Sequence, residues 1–421
     1  MSTSVAWEHE LQSWLEPFLI PLCHPARRRM FPLYVAGLIG PGERKSLQPI
    51  AARVAPADYD QLHHFVAVGP WDEAPLEAEL LAQANRLVGG PDAVLVIDDT
   101  ALPKKGTRSV GVASQYAGAL GKNADCQTLV SLTLAKDEVP IPIVLRLYLP
   151  ETWIKDPERL QHAGVPEAFW AERSKPEMAL EELKRLLQAG VSFGAVVTDA
   201  GYGISAPFRH ALSALGLLWA VGTVRIQKVY PADVQMITPP PSRGRSRTRQ
   251  VPDQEAVAAE DMLTKASWRR VTWRRGTKGP LQAKFAAVRV RVADGPAVHL
   301  RGHANQHLPG DEVWLVGEHR SSGERKYYLS NLPPDTTLKQ LASLIKARWV
   351  CEQAHQQLKE ELGLDHFEGR SWRGLHRHAL LTLIAYLFLQ HLRLHAAKRE
   401  KNEAGRTTSS PDTTGHSAHA A

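Results

Sequence analysis

The chain has 421 residues, 43% hydrophobic and 23% charged, a globular balance with material for about two to three structural units. Its 51 basic and 44 acidic residues leave a formal charge of +7, a modest excess compatible with a nucleic-acid partner but not requiring one. No run reaches the ~20 apolar residues that cross a bilayer, the opening MSTSVAWEHELQSW lacks the basic-then-apolar order of a secretory leader, and Cys23, Cys126 and Cys351 lie too far apart for a disulfide framework or a zinc site.

Residues 6–90 read as helical. HELQSWLEPF, GERKSLQPIAARV and APLEAELLAQANRLVGG carry helix formers at helical spacing, and Gly89–Gly90 supplies a stop. The stretch around Ala55–Pro56 fits two short helices about a turn, so a DNA-reading helix-turn-helix and a plain helical cap both stand, the cap being the simpler. From residue 93 the texture changes. Strand-like runs cover 93–99, 109–118, 126–135 and 139–150. They are followed by a helix at 175–190, a strand at 193–201, a helix near 205–215 and a strand at 217–224. Consecutive strands followed by alternating helix and strand predict a mixed α/β sheet with flanking helices.

Residues 225–310 break that pattern. The basic loop PPPSRGRSRTRQVPDQE and the strand-like runs ASWRRVTWRRGTKG and FAAVRVRVADG read as a β-rich insertion. Two more strands, EVWLVGEHR and RKYYLSNLP, lead into one long helix from near Thr337 to about Leu362, stopped at Gly363. A second, very apolar helix covers 374–396, and the polar tail 397–421 is expected to be disordered. The expected units are therefore 1–90 (helical, a candidate DNA-binding domain), 91–224 and 311–396 (two parts of one catalytic core), 225–310 (the insertion) and 397–421 (the tail).

The first chemical signal is VLVIDDTALPKKG at 94–106, where a buried apolar run ends in Asp98 and Asp99 without a basic residue to neutralise them. A second is GAVVTDAGYG, which sets Asp199 at the end of another apolar run before a Gly-rich turn; a turn- or helix-capping role is the plainer reading of that residue. Acids at the carboxyl ends of strands face the crevice where α/β sheets bind ligands. A third lies in KARWVCEQAHQQLKEELGLDHFEG, where helical spacing gathers Arg348, Glu352, His355 and Lys359 on one face; a solvated, ion-paired face is the alternative. Two strand-end aspartates and one helix glutamate have the donor chemistry to hold two hard divalent cations. Two such ions about 3.5–4 Å apart activate the attacking oxygen and steady the leaving oxygen in phosphoryl transfer.

These segments resemble the DDE transposases of bacterial insertion sequences. That family has a ribonuclease-H-like core with Asp on the first strand, Asp on the fourth strand and Glu on a late helix, within a Y-x2-R-x3-E-x6-K signature. Here Arg348-x3-Glu352-x6-Lys359 matches the signature, while Ile345 stands at the Tyr position. The likeness covers roughly residues 93–395 and includes a β-rich segment before the Glu helix. It implies metal-dependent DNA cleavage and strand transfer, with two Mg²⁺ (Mn²⁺ as a substitute) held by Asp98 or Asp99, Asp199 and Glu352. Reading D-x-T selects Asp98; reading acid-Asp-Thr selects Asp99, and the wider segment favours Asp99. The resemblance also implies that Arg348 and Lys359 contact phosphates near the scissile bond, that double-stranded DNA is the partner, that a homodimer forms on the DNA, and that the protein is cytoplasmic and associated with the nucleoid.

Further candidates for DNA contact are Lys104 and Lys105 after the first acids, and Arg269, Arg270 and Arg274 with Trp268 and Trp273, where a Trp would stack on an unpaired base. Against this stand a solvated turn for the lysines, and a surface loop with core tryptophans for the rest. Another metal-dependent nuclease of the same core, or an inactive DNA-binding relic, are the competing functions.

Overall fold

A computed structural model describes residues 3–238, 250–276, 279–300 and 303–407. Its centre is the apolar run Val94–Ile97, which extends into the strand Val94–Pro103. Leu95, Val96 and Ile97 are fully buried, as a strand covered on both faces requires. This strand pairs antiparallel with Lys122–Lys136, which pairs antiparallel with Val139–Leu147. On its other side it pairs parallel with Ala195–Thr198, which pairs parallel with Trp219–Thr223. Three antiparallel strands followed by two parallel ones form the ribonuclease-H-like core. The expected strand at 109–118 shortens to Ala113–Ala117, at the end of the Lys122–Lys136 ladder.

The sheet does not end at Trp219–Thr223. Arg325–Ser330, Glu312–His319 and Gly279–Val292 follow in antiparallel order, and the far edge of the last is shared by Lys228–Pro231 and Arg269–Gly276. The β-rich segment therefore enlarges the core sheet instead of forming a layer of its own. The basic positions at 243–249 lie outside the described residues.

The long helix expected from Thr337 to Leu362 is two helices, Leu338–Lys346 and Trp349–Glu360. Thr337 begins the first with a reciprocal cap to Gln340, as helix N-termini favour. The break follows from packing. Leu341, Ala342 and Ile345 bury against Phe285 and Val316 of the sheet extension, whereas Ala354 and Leu358 join the main core. Each helix thus turns its apolar stripe toward a different part of the sheet, and the chain bends at Ala347–Arg348.

The apolar helix begins at Trp372 and runs to Thr407, so helical structure passes residue 397. Its apolar content is buried as far as Phe388. Beyond that, AAKREKNEA consists largely of good helix formers and continues the helix, with residues 395–400 exposed; residues 408–421 lie outside the described ones. Its length and hydropathy would allow a membrane span, but most of its apolar face is packed inside the protein. The N-terminal helices close over this helix. Tyr34 and His378 share a hydrogen bond of 2.8 Å, and the buried Arg377 donates to the carbonyl of Trp71 at 2.6 Å. One apolar cluster runs from Leu11 to Phe388. Leu47–Val54 and Tyr59–His63 are the two short helices expected around Ala55–Pro56, and the second spans only five residues.

Candidate functional site

The parallel ladder explains how two distant acids meet. Its last described pair is Ile97 with Thr198, so Asp98 and Asp199 follow one residue later on neighbouring strands, which lie about 4.8 Å apart. Register partners in a parallel pair face the same side. Asp199 keeps extended backbone angles (φ −81°, ψ −175°) before the chain turns into Ala200–Gly203. The capping role and the site role therefore coexist: Asp199 Oδ1 accepts the Gly201 amide at 2.9 Å while the residue lines a cleft. Close approach decides the glycines here. A Cβ on Gly203 would lie 2.0 Å from the carbonyl oxygen of Gly222, and one on Gly222 would lie 2.6 Å from the Ala200 nitrogen. Only hydrogen at both positions lets the Asp199 turn lie flat on the adjacent strand.

Alternation along the strand separates the two adjacent acids. Asp98 is 8% exposed, its Oδ1 accepts the Asp99 amide at 2.9 Å, and its Oδ2 accepts a hydrogen bond from Arg348. Arg348 also donates to Glu352, one helical turn further on, and so bridges the strand acid to the helix acid. Asp99 belongs to a different cluster, with Lys175 Nζ at 2.5 Å and a hydrogen bond from the Tyr202 hydroxyl.

Burial is the main force on the Asp98 carboxyl. Helped by the charges of Asp199 and Asp99, it pushes the group up to about 7 against the pull of Arg348 and the Asp99 amide. Burial likewise works against the Arg348 charge, but Asp98, Glu352 and Asp199 outweigh it and raise that group. The Tyr202 hydroxyl is raised by burial first and then by Asp99, Asp98 and Asp199, so it stays protonated and donates.

Asp199, Arg348 and Glu352 line a cleft of about 980 Å³. Its other cationic lining comes from Arg225, Arg320, Arg325, Lys326 and Lys346, none of which stood out in the sequence. They sit on separate segments, and only the sheet brings them together. Beneath them Glu318, fully buried, accepts from Lys346 at 2.8 Å, Tyr328 at 2.9 Å and Arg320 at 3.2 Å. Burial raises the Glu318 carboxyl, but these partners hold it below the usual carboxylate range.

Other residues singled out in the sequence have different surroundings. His355 is buried rather than on the face of Glu352: its Nε2 shares a hydrogen bond with Ser131 Oγ at 2.8 Å, and burial pushes its pKa down to about 3. Lys104 donates to the carbonyls of Asp365 and Phe367, at 3.2 and 2.7 Å, while Lys105 is exposed. Lys359 is half-buried near Asp365, burial lowering its pKa, and it does not line the cleft. Trp268 stands edge-on to His319 with centroids 6.2 Å apart, and Trp273 edge-on to Phe285 at 5.9 Å. Both pack rather than project. Arg274 pairs with Glu138 at 2.6 Å and lies over the Trp349 ring at 4.2 Å, whereas Arg269 and Arg270 are exposed.

Two side-by-side carboxylates at a buried strand end are hard oxygen donors suited to a divalent cation. Thr100 Oγ1, two residues after Asp98 and buried, has no hydrogen-bond partner among the described residues, which suits the hydration of such an ion. Among the described residues no three His, Cys, Asp or Glu side chains close into a finished metal-binding group. The two aspartates adjoin, and Glu352 reaches them through Arg348.

Two family models match the chain: a DDE superfamily endonuclease over residues 17–280 and a transposase DDE domain over residues 173–388. A stretch of 186 residues is 33% identical to the probable transposase for insertion sequence element IS701 of Microchaete diplosiphon. That match covers 44% of this chain and 46% of the relative, so the chain spans about half the length of the curated relative. Among solved structures, the piggyBac transposase synaptic complex with hairpin DNA is 12% identical, covering 92% of this chain and 77% of that one at a TM-score of 0.35.

Proposed function

The chain belongs to the DDE superfamily endonucleases and carries a transposase DDE domain, and from that membership we propose that it acts as the transposase of an insertion sequence, cleaving DNA at the element's ends and joining those ends to a target. The observation that carries this reading is the strand register setting Asp98 beside Asp199, with Arg348 linking Asp98 to Glu352 at the same cleft. Asp98, Asp199 and Glu352 would hold two Mg²⁺ or Mn²⁺ ions. We favour Asp98 over the Asp99 preferred in the sequence, because only Asp98 shares a face with Asp199 and a bond with Arg348. The chemistry such ions would supply there is polarisation of the scissile phosphodiester and activation of an attacking oxygen.

The chain's own groups do the rest. Arg348, with five fixed donors, is built to grip a phosphate once the acids it now bridges are otherwise neutralised. Arg225, Arg320, Arg325, Lys326 and Lys346 give the cleft a cationic wall for the DNA backbone. Glu318 restrains Arg320 and Lys346 in that wall. Trp268, Trp273 and Arg274 belong to packing in this scheme, and Lys104 to the anchoring of the segment after the glutamate helix. A homodimer on the DNA belongs to the same proposal.

The test is Glu352→Gln, assayed on duplexes carrying the element's ends with strand-transfer products scored. Retained DNA binding with Mg²⁺-dependent cleavage abolished supports the proposal. Full activity of the variant overturns the assignment, and cleavage without any strand transfer by the wild type identifies a different nuclease.

A further inference from the structure

Asp98 is the strand-end acid set beside Asp199, yet a second acid follows it with partners of its own. We propose that Asp99, Lys175 and Tyr202 form a clamp that fixes the spacing of Asp98 and Asp199, and so sets the affinity of that carboxylate pair for a divalent cation. The proposal rests on reading Asp98 and Asp199 as the ion-holding pair.

Three contacts carry it. The Tyr202 hydroxyl donates to Asp99 Oδ1, and Tyr202 sits in the turn that Asp199 opens, three residues further on. The Asp99 amide donates to Asp98 Oδ1 at 2.9 Å, so a shift of Asp99 carries the Asp98 carboxylate with it. Lys175, the first residue of the helix Lys175–Gln188, reaches Asp99 Oδ2 at 2.5 Å. Together these bonds close a loop from Asp98 through Asp99 and Tyr202 to Asp199, tying across the sheet two strand ends that the ladder leaves after Ile97 and Thr198. Lys175 adds an electrostatic part: it offsets the Asp99 charge, which would otherwise add to the repulsion between the other two carboxylates. Asp99, Lys175 and Tyr202 are thus positioning residues, supporting the ion-holding pair from behind.

Groups that orient metal ligands from outside typically change metal affinity or activity by roughly 10–100-fold when removed. Mn²⁺ binding to the full-length protein, counted by electron paramagnetic resonance of the free ion, reads affinity without any reaction. Asp99→Asn and the near-isosteric Tyr202→Phe are expected to weaken Mn²⁺ binding within that range. The Mg²⁺ concentration for half-maximal cleavage should rise in parallel, while the rate at saturating Mg²⁺ returns to near the wild-type value and the melting temperature holds. Asp98→Asn should lose cleavage at every Mg²⁺ concentration. Wild-type Mn²⁺ affinity in both clamp variants overturns the clamp alone. Loss of all Mn²⁺ binding in Asp99→Asn, with binding kept in Asp98→Asn, makes Asp99 the ligand and overturns the clamp together with the choice of Asp98. A wild-type protein that binds no Mn²⁺ removes the metal reading on which the clamp rests.

Discussion

Two regions of the sheet extension differ both in sequence and in where they lie. The strand Arg269–Gly276 is dense in arginine, with Trp268 before it and Trp273 within it, whereas the hairpin Glu312–His319 and Arg325–Ser330 mixes charges of both signs. Yet the hairpin delivers Arg320, Arg325 and Lys326 to the cleft that holds Asp199 and Glu352. The arginine-rich strand lies at an edge, its Arg274 committed to Glu138 and its Trp273 to Phe285. Under the proposed function, a strand's position relative to the carboxylates, rather than its local charge density, decides which arginines and lysines meet a phosphate.

Substitutions that separate the two regions would break or sharpen this contrast. The largest effect is expected at the acids facing the hairpin: Asp199→Asn, like Glu352→Gln, should abolish Mg²⁺-dependent strand cleavage in a gel assay while duplex binding persists. Next comes the cleft wall. Charge reversal of Arg325 and Lys326 should weaken duplex binding by orders of magnitude at low salt. It should also flatten the plot of log affinity against log salt by about 0.9 for each phosphate that the protein no longer neutralises. The same reversal of Arg269 and Arg270 should change that slope little; an equal weakening from both pairs would erase the distinction between the regions.

A smaller effect separates packing from stacking. Trp268→Ala should lower stability by about 1–3 kcal/mol in denaturant melts, less than a fully buried ring would because Trp268 is only partly buried, and leave the salt slope alone. For any single group, the most gradual effect is one with pH. His355 is held near 3, and His376 and His378 near 4, burial being the leading cause for each. Each stays neutral when folded and takes up a proton near 6.5 when unfolded. The unfolded chain therefore binds more protons between those values, and stability falls as pH drops from about 6.5 toward 4, by roughly 1.4 kcal/mol per pH unit for each such histidine. Melting temperatures at pH 7, 6 and 5 should decline in that order, and a His378→Gln variant that still folds should decline less steeply.

Much of the core was legible along the chain. Apolar runs ending in acids located the strands of Asp98 and Asp199, because a buried strand needs continuous apolar side chains and a strand-end carboxylate needs a reason to be there. The 348–359 spacing found the glutamate helix, although His355 turned inward because its neighbours Cys351, Ala354 and Leu358 are buried with it. The Asp98–Asp99 ambiguity could not be resolved locally. Both residues occupy the same strand end, and which one faces Asp199 depends on a register with residues about a hundred positions away.

By itself, then, the sequence determined the kinds of element and the presence of three acids, since periodicity and burial are properties of short segments. The break at Ala347–Arg348, the pairing of Asp98 with Asp199 and the cationic cleft wall were decided only by the tertiary structure. Each depends on which faces meet across the sheet, and strand pairing between segments far apart in the chain sets those faces.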